Sequence, residues 1–482
     1  MLFSLTACTG TGGGSDVDPY AEGYFCIPAT GEYSDNIMLP ELEDAHVTVM
    51  MSIDWSYLES NNNPDDPFAQ YIATMMWRDA YASQEGDVEI ITISDEQQTD
   101  YVATQTASGT APDILPANYD LTYPKWSAAG LTSSIEQYAG HLQLDAKNPA
   151  NPEEDLYNKA LMEKYFQWGG ESHGAITLAD VDRNYIVYNK TKFEQQGQAT
   201  PLDLWEKGEW NWTNFVKTAK AMTSGTDYGF TGWGLFPYFA PYPMAALDQE
   251  TGKVTLAIDD TKYMRYMTEV YNLYQTDKAA RCDWALQEWS KLFPAGTDAM
   301  VQATMSGYKR IVDSARRLEG DEFGIAPVPV FDPTGETESI ATATLWAYSI
   351  ASAAKNPIGA ATYIRLETLV SRNVQAALEG TTWADKNLTE AEKAMVEAVE
   401  DDPVCVEMIR GIGDCYQGIV DANLVPAMYY VETQDSVQAI FDAQKNALQA
   451  EFDEFNQMVE EVAAEAAAKA EAEAEADAEA AA

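Results

Sequence analysis

Apolar positions along this chain fall into short β-branched or aromatic runs separated by stretches at helical spacing. Val47-Thr-Val-Met-Met-Ser-Ile53 is an apolar run of strand length that ends at Asp54-Trp55. Phe68, Tyr71, Ile72 and Met75 then recur at helical spacing, in a segment begun by Pro67 and stopped by Gly86. Val88-Glu-Ile-Ile-Thr-Ile93 reads as a second strand. A helix over roughly 96–108 ends at Gly109, and Ala111-Pro-Asp-Ile-Leu115 is a third, short strand. This β-α-β-α-β order predicts an open, mostly parallel sheet whose strand ends face a crevice.

The pattern continues downstream. Val181 to Tyr188 is a strand by composition, ended by Asn189-Lys190, and Thr191-Lys-Phe-Glu-Gln-Gln-Gly197 reads as a short helix stopped by glycine. In Trp205-Glu-Lys-Gly-Glu-Trp-Asn-Trp212-Thr213, Thr213 is the expected N-cap of a helix with Phe215, Ala219 and Met222 on one face. Residues 228–256 are aromatic and irregular, with a hairpin at Asp248-Gln-Glu-Thr-Gly252, before a long helix over Thr261 to Gln275. Phe323-Gly-Ile-Ala-Pro-Val-Pro329 and Leu345-Trp-Ala-Tyr-Ser-Ile350 read as strands. Asn356 and Pro357 then start a helix with Tyr363, Leu366 and Val370 inward. From Val459 onward Ala and Glu alternate almost alone, which reads as a solvated helix or a disordered tail.

Charge narrows the function. Twenty-nine Lys+Arg against 77 Asp+Glu give a net charge of −48, a surface that repels phosphate backbones and anionic lipid, so nucleic-acid binding is excluded. No apolar run reaches the roughly 18 residues a spanning helix needs. Leu5-Thr6-Ala7-Cys8 resembles a bacterial lipobox, with Cys8 the lipidated residue, and Thr9-Gly-Thr-Gly-Gly-Gly-Ser15 has the composition of a flexible tether. Only Met1-Leu-Phe-Ser precedes that motif, which points to a start site placed too late. With Cys8 taken by lipid, Cys26, Cys282, Cys405 and Cys415 remain, an even number that suits an exported protein. Cys405 and Cys415 are near enough to close a small loop, and the sequence leaves open whether they do.

Catalytic and metal motifs are weak. Gly170-Glu-Ser172-His-Gly174 matches the nucleophile-elbow spacing, yet an elbow needs a strand before it, a helix after it and a downstream histidine. The histidines are His46, His141 and His173, in no metal-binding spacing, so no metal and no cofactor is expected. A carboxylate pair carries no weight among 77 acidic residues. The positive signal is aromatic, with 12 Trp and 27 Tyr. Sugars present apolar C–H faces and a belt of hydroxyls, and call for flat rings with planar donors and acceptors beside them.

The aromatic strand running into Tyr188-Asn189-Lys190, a short helix, Gly197, Pro201 and a Trp-rich segment resembles the extracellular solute-binding proteins of ABC importers, closest to the sugar-binding group that includes maltose-binding protein. Ala111-Pro-Asp113, Trp210-Asn-Trp212-Thr213, Phe293 to Gly307 and Lys355-Asn-Pro357 follow in that family's order over about residues 44–450. The resemblance implies an α/β fold of two lobes with a hinge and a ligand cleft. Residues 1–43 would be lipobox, tether and leader, and 44–180 the first part of lobe one. Residues 181–303 would begin lobe two, 304–345 return to lobe one, 346–458 complete lobe two, and 459–482 form the acidic tail.

By the same resemblance the ligand-binding residues are Asp54, Trp55, Asp120, Asp182, Trp233, Tyr308, Lys309, Trp346 and Tyr429, with core packing standing beside a ligand role for each Trp. Relatives often carry Gly-x-Trp where this chain has Gly307-Tyr308-Lys309, followed by Arg310, which brings an anionic solute into consideration. Tyr429-Tyr430 is similar to the tyrosine pair of iron-binding relatives, with core aromatics as the alternative. The expected activity is capture of a sugar or oligosaccharide without covalent chemistry. Delivery would be to an ABC permease, by a monomer anchored through lipid at the outer face of a bacterial membrane. A secreted carbohydrate-active enzyme and a surface interaction protein are the alternatives from other classes.

Overall fold

The computed structural model describes residues 25–27, 32–34, 39–61, 68–117, 122–148, 151–176, 182–232, 242–249, 251–282, 291, 293–331, 341–345, 347–378, 382–399, 404–405, 412, 416–430 and 435–481. Of the residues singled out above, Cys8, Asp120, Trp233, Trp346 and Cys415 lie outside them. Two mixed sheets with helices around them make an α/β fold of two lobes. A small antiparallel hairpin, Phe25–Ile27 with Glu32–Ser34, precedes them.

The first lobe opens with β1 (His46–Met51), α1 (Trp55–Asn61), α2 (Ala69–Ala80), β2 (Asp87–Thr92), α3 (Asp95–Ser108), β3 (Ile114–Pro116) and β4 (Thr132–Ser133). β1 pairs in parallel with β2, from His46–Asp87 to Met51–Thr92, and with β3 at Val49–Ile114. Val47, Val49 and Met50 are buried, as the unbroken apolar run requires of a strand covered on both faces. The buried face of α2 is Ile72, Ala73, Met76 and Trp77, turned slightly from the expected set, and the Trp77 indole donates to the Ala45 carbonyl at 2.8 Å. Gly109 ends α3 at φ +66°, a left-handed cap that a side chain would strain.

The second lobe holds β5 (Asp182–Asn189), α4 (Lys190–Gln195), α5 (Trp212–Met222), β6 (Phe230–Thr231), β7 (Ala280–Arg281), β8 (Met300–Thr304), α6 (Met305–Val312), β9 (Phe323–Pro327) and β10 (Ala341–Thr344). β5 is its spine. β8 runs antiparallel along one side of it, while β9 and β10 run antiparallel along the other. β6 joins β8 in parallel, and β7 joins β6. The N-cap of α5 is Asn211 rather than Thr213. Asn211 is extended and accepts from the Asn214 amide at 3.1 Å, so the helix starts two positions earlier.

The chain then returns. β11 (Tyr348–Ala351) pairs with β3 and β4 of the first sheet, and α7 (Pro357–Leu378) packs on α2, β1 and β11. This corrects the expectation that 304–345 rejoin lobe one and 346–458 complete lobe two: β9 and β10 are bonded to β5, and 348–378 joins the first lobe, with β11 bonded to β3. Phe293 to Gly307, which the resemblance places at the return to lobe one, instead contains β8, paired with β5 in the second sheet. α8 (Glu390–Val399) goes back onto β9, β12 (Val404–Cys405) onto β10, and α9 (Val437–Ala481) closes the chain. Helix α9 packs through Phe441, Leu448, Phe452 and Phe455, beside the hairpin Ala245–Leu247/Val254–Leu256. The Asn456 side chain clamps that hairpin by accepting from the Val254 amide and donating to its carbonyl, at 2.8 and 2.9 Å.

Candidate functional site

Several landmark residues turn out to hold the lobes together. Asp113, of Ala-Pro-Asp, is buried, and its carboxylate accepts from the Thr48 amide and hydroxyl and from the Asn356 amide. Asn356 in turn caps α7 through the Gly359 amide and donates to the Asp44 and His46 carbonyls. Two motifs separated by 243 residues are thus one clamp joining β1, β3 and α7. In Tyr188-Asn189-Lys190 the tyrosine ring is buried against Phe193, and Asn189 caps α4 and donates to Asp321. Lys190 pairs with the buried Glu392 at 3.0 Å.

The strand directions place the candidate site. β1, β2 and β3 end at the same edge of the first sheet. β6, β7, β8, β9 and β10 all end at the edge where β5 begins. The described ends of the two passages between lobes, Ala175–Ile176 and Asp182 for the first, Thr344–Leu345 and Ala347–Tyr348 for the second, lie at these edges. They are bonded to each other: Ala175 and Tyr348 exchange both amide–carbonyl bonds at 2.8 and 2.9 Å, and Asp182 sits opposite Thr344. The Ala117 amide donates to the Ala347 carbonyl at 2.8 Å. The described ends of the two passages are therefore paired with each other.

Asp54 ends the loop after β1. Its carboxylate accepts from the Ser56 hydroxyl and the Tyr57 amide, both at 2.7 Å, and those two bonds hold its pKa below the usual range. Trp55 lies 5.0 Å from the Tyr71 ring at an interplanar angle of 22°, and 4.7 Å from the Arg78 guanidinium. Trp55 therefore packs on α2 through Tyr71 and Arg78 and stays partly exposed. The more exposed ring is its neighbour Tyr57, 48% exposed and tilted against Phe68, with Ile53 beside it at 39%. Two of the large apolar side chains most exposed among the described residues therefore flank Asp54.

In the second lobe, Asp182 opens β5 at the junction. Tyr308 is a core residue: it is buried, its hydroxyl donates to the Phe323 carbonyl at 3.1 Å, and its ring meets Trp383 edge-on. Burial pushes its phenol well up. Lys309 is exposed and lies 3.5 Å from Asp313, a helical turn away. Tyr429 is buried edge-on to Tyr274 at 4.7 Å, and burial pushes its phenol up too. The Ser172 backbone lies in the two-stranded hairpin Gln167–Trp168/Glu171–Ser172, not on a strand-to-helix turn, and the neighbouring His173 faces the Thr132 hydroxyl. No group of His, Cys, Asp and Glu among the described residues is arranged to hold a metal ion, and no described helix is long and apolar enough to cross a membrane.

The sequence reading missed Tyr57. Its signal was a second ring two residues after Trp55, at the start of α1.

Two discontinuous α/β lobes joined by a paired crossover define a two-lobed binding-protein fold. The chain has the fold of the solute-binding proteins of ABC importers, including sugar-binding ones. It is similar to the ABC substrate-binding protein Lmo0181 from Listeria monocytogenes, solved with cycloalternan, at 15% identity and TM-score 0.54, covering 86% of this chain and 99% of that one. Maltose-bound MalE3 of T. maritima matches at 17% identity and TM-score 0.54, over 83% and 99% of the two chains. UgpB from Mycobacterium tuberculosis, in complex with glycerophosphocholine, matches at 13% identity and TM-score 0.57, over 85% and 98%. No family model and no curated protein matches the sequence.

Proposed function

We propose that this chain is an extracellular receptor that captures a sugar or oligosaccharide between its lobes and delivers it to an ABC import permease. The observation that carries this reading is the paired crossover at the strand ends of both sheets, with Tyr57 and Ile53 exposed after β1. A ligand that touches both lobes selects the closed arrangement by its differential affinity for it, and the closed form is what a permease reads. Solved relatives of this fold bound to cycloalternan and to maltose support a carbohydrate. Asp182 is the proposed polar anchor, and Asp120, Trp233 and Trp346 are further proposed ligand contacts. Lipidation at Cys8, a monomeric state and a place at the outer membrane face belong to the same proposal.

A second reading rests on the Lys309 and Arg310 pair, exposed on the helix that follows β8, where sugar-binding relatives often carry a ring. It makes the solute an acidic sugar or another anion. Thermal-shift titration of the full chain with maltooligosaccharides, monosaccharides, uronic acids and glycerophosphodiesters distinguishes the two. Saturable stabilisation by neutral sugars, lost in Asp182→Ala, is the expected result. Stabilisation by anions alone, lost in Lys309→Ala, would move the assignment to the second reading, and release of sugar product would replace both with an enzyme.

A further inference from the structure

Helix α7 carries a carboxyl group in an unusual place. Glu367 is 1% exposed, and its Oε2 is hidden from solvent with no hydrogen-bond partner. It makes no ion pair among the described residues. A carboxylate ionised there would carry an uncompensated charge at a cost of several kcal/mol, so the group is a neutral acid in the folded protein.

What it touches is the root of the double crossover. The carboxyl lies against the Tyr348 hydroxyl. That hydroxyl also accepts from Gln70 Nε2 at 3.1 Å. One turn earlier on α7, the Tyr363 hydroxyl lies 2.8 Å from the Thr74 hydroxyl, so α7, α2 and β11 meet at this cluster. Tyr348 is the first residue of β11 after the second crossover, and its amide and carbonyl are the groups bonded to Ala175 at the end of lobe one. Fixing the Tyr348 side chain therefore fixes the point from which both connections leave the first lobe.

We propose that Glu367 is a positioning residue for lobe movement: as a neutral acid it holds Tyr348 and the crossover root in place, and its ionisation loosens that root. The titratable groups facing it are Tyr348 from β11 and Tyr363 from its own helix; Gln70 and Thr74 from α2 are uncharged. Arg78 of α2 acts on Tyr363 and is itself engaged with Asp87 and Trp55. Burial pushes Glu367 from 4.5 up to about 8. The folded chain thus keeps a proton that the unfolded chain releases. The associated stability is complete below the unfolded value of 4.5, declines as pH rises, and is lost once pH passes about 8.

The test compares the full chain with Glu367→Gln, which keeps the shape and cannot ionise. Melting temperature measured from pH 5 to pH 9.5 is expected to fall across the window in the parent relative to the variant. Amide exchange, corrected for intrinsic rates, locates the effect. In the parent, residues 173–176 and 345–349 are expected to exchange several-fold faster at pH 9 than at pH 6, with β1 and β2 unchanged, and Glu367→Gln is expected to abolish that difference. Parallel pH profiles in the two proteins, or a rise in exchange spread evenly over β1 and β2, would overturn the proposal. Tyr348→Phe supplies an independent arm. Deleting its hydroxyl is expected to raise crossover exchange at pH 6 several-fold, and no change there would overturn the proposal even if Glu367→Gln fails to fold.

Discussion

Asp113 shows how one side chain can do the work of a motif. Its carboxylate serves three donors from β1 and from the start of α7, and without it the buried Asn356 amide and the partly buried Thr48 amide would lose this acceptor. A buried donor without an acceptor costs about 1–3 kcal/mol, so Asp113→Ala is expected to destabilise the protein by roughly 3 kcal/mol, measured by urea unfolding. Binding contacts separate from packing contacts by the same logic. Trp55 packs on Tyr71 and Arg78, whereas Tyr57 is the more exposed ring. With a stabilising sugar in hand, Tyr57→Ala is expected to weaken calorimetric affinity at least tenfold, about 1.4 kcal/mol, with little loss of melting temperature. Trp55→Ala should lower the melting temperature first.

At the scale of elements, caps and clamps fix the helices around β5. Thr389 and Glu392 cap α8 reciprocally, and the same Glu392 carboxylate accepts from the Ile325 amide and pairs with Lys190. Helix, strand and crossover strand share one buried charge. Removing its cation leaves that charge unpaired, and Lys190→Met is expected to cost roughly 3 kcal/mol by chemical denaturation. A threefold smaller loss would mean that the backbone donors alone satisfy Glu392. The strands β1 and β5 and helices α5 and α7 were legible in the sequence because each buries a continuous run or one periodic face. Which sheet receives β9, β10 and β11 was not legible, since buried strands of either lobe have the same composition and only pairing distinguishes them. The Asp113–Asn356 clamp was visible as two motifs, but nothing local says that they touch. Glu367 lay in plain sight one residue after Leu366, on the inward face set by Tyr363 and Val370, where an acid contradicts the pattern.

For the whole molecule, the acidic end and the packed end of α9 have different duties. Phe455 is buried and meets the Trp168 indole edge-on at 6.3 Å, which ties the helix of the second lobe to the hairpin of the first. Phe455→Ala is expected to cost about 3–4 kcal/mol, read from the shift of the unfolding midpoint. Truncation after Val462 removes a stretch with no apolar face, and calorimetry is expected to show a change within about 0.5 kcal/mol. Glu460, which pairs with Lys253 of the clamped hairpin, stays in that shortened chain.

The strand order of the first sheet sets the order in which the molecule can be assembled. β11 is inserted between β3 and β4, although some 215 residues separate it from the second of these. A chain emerging N-terminus first, from a ribosome or across a membrane, displays β3 with one bare edge until Tyr348 arrives. Most of the second sheet, from β5 to β10, is contiguous in sequence and can close before that. The half of the protein made first therefore waits for residues 348–378, and until then its open edge is a template for pairing with other chains. Long-range closure of this kind is slow. A nascent chain stopped just short of residue 348 would hold strands β5 to β10 and an unfinished first sheet, with α8, β12 and α9 still to come.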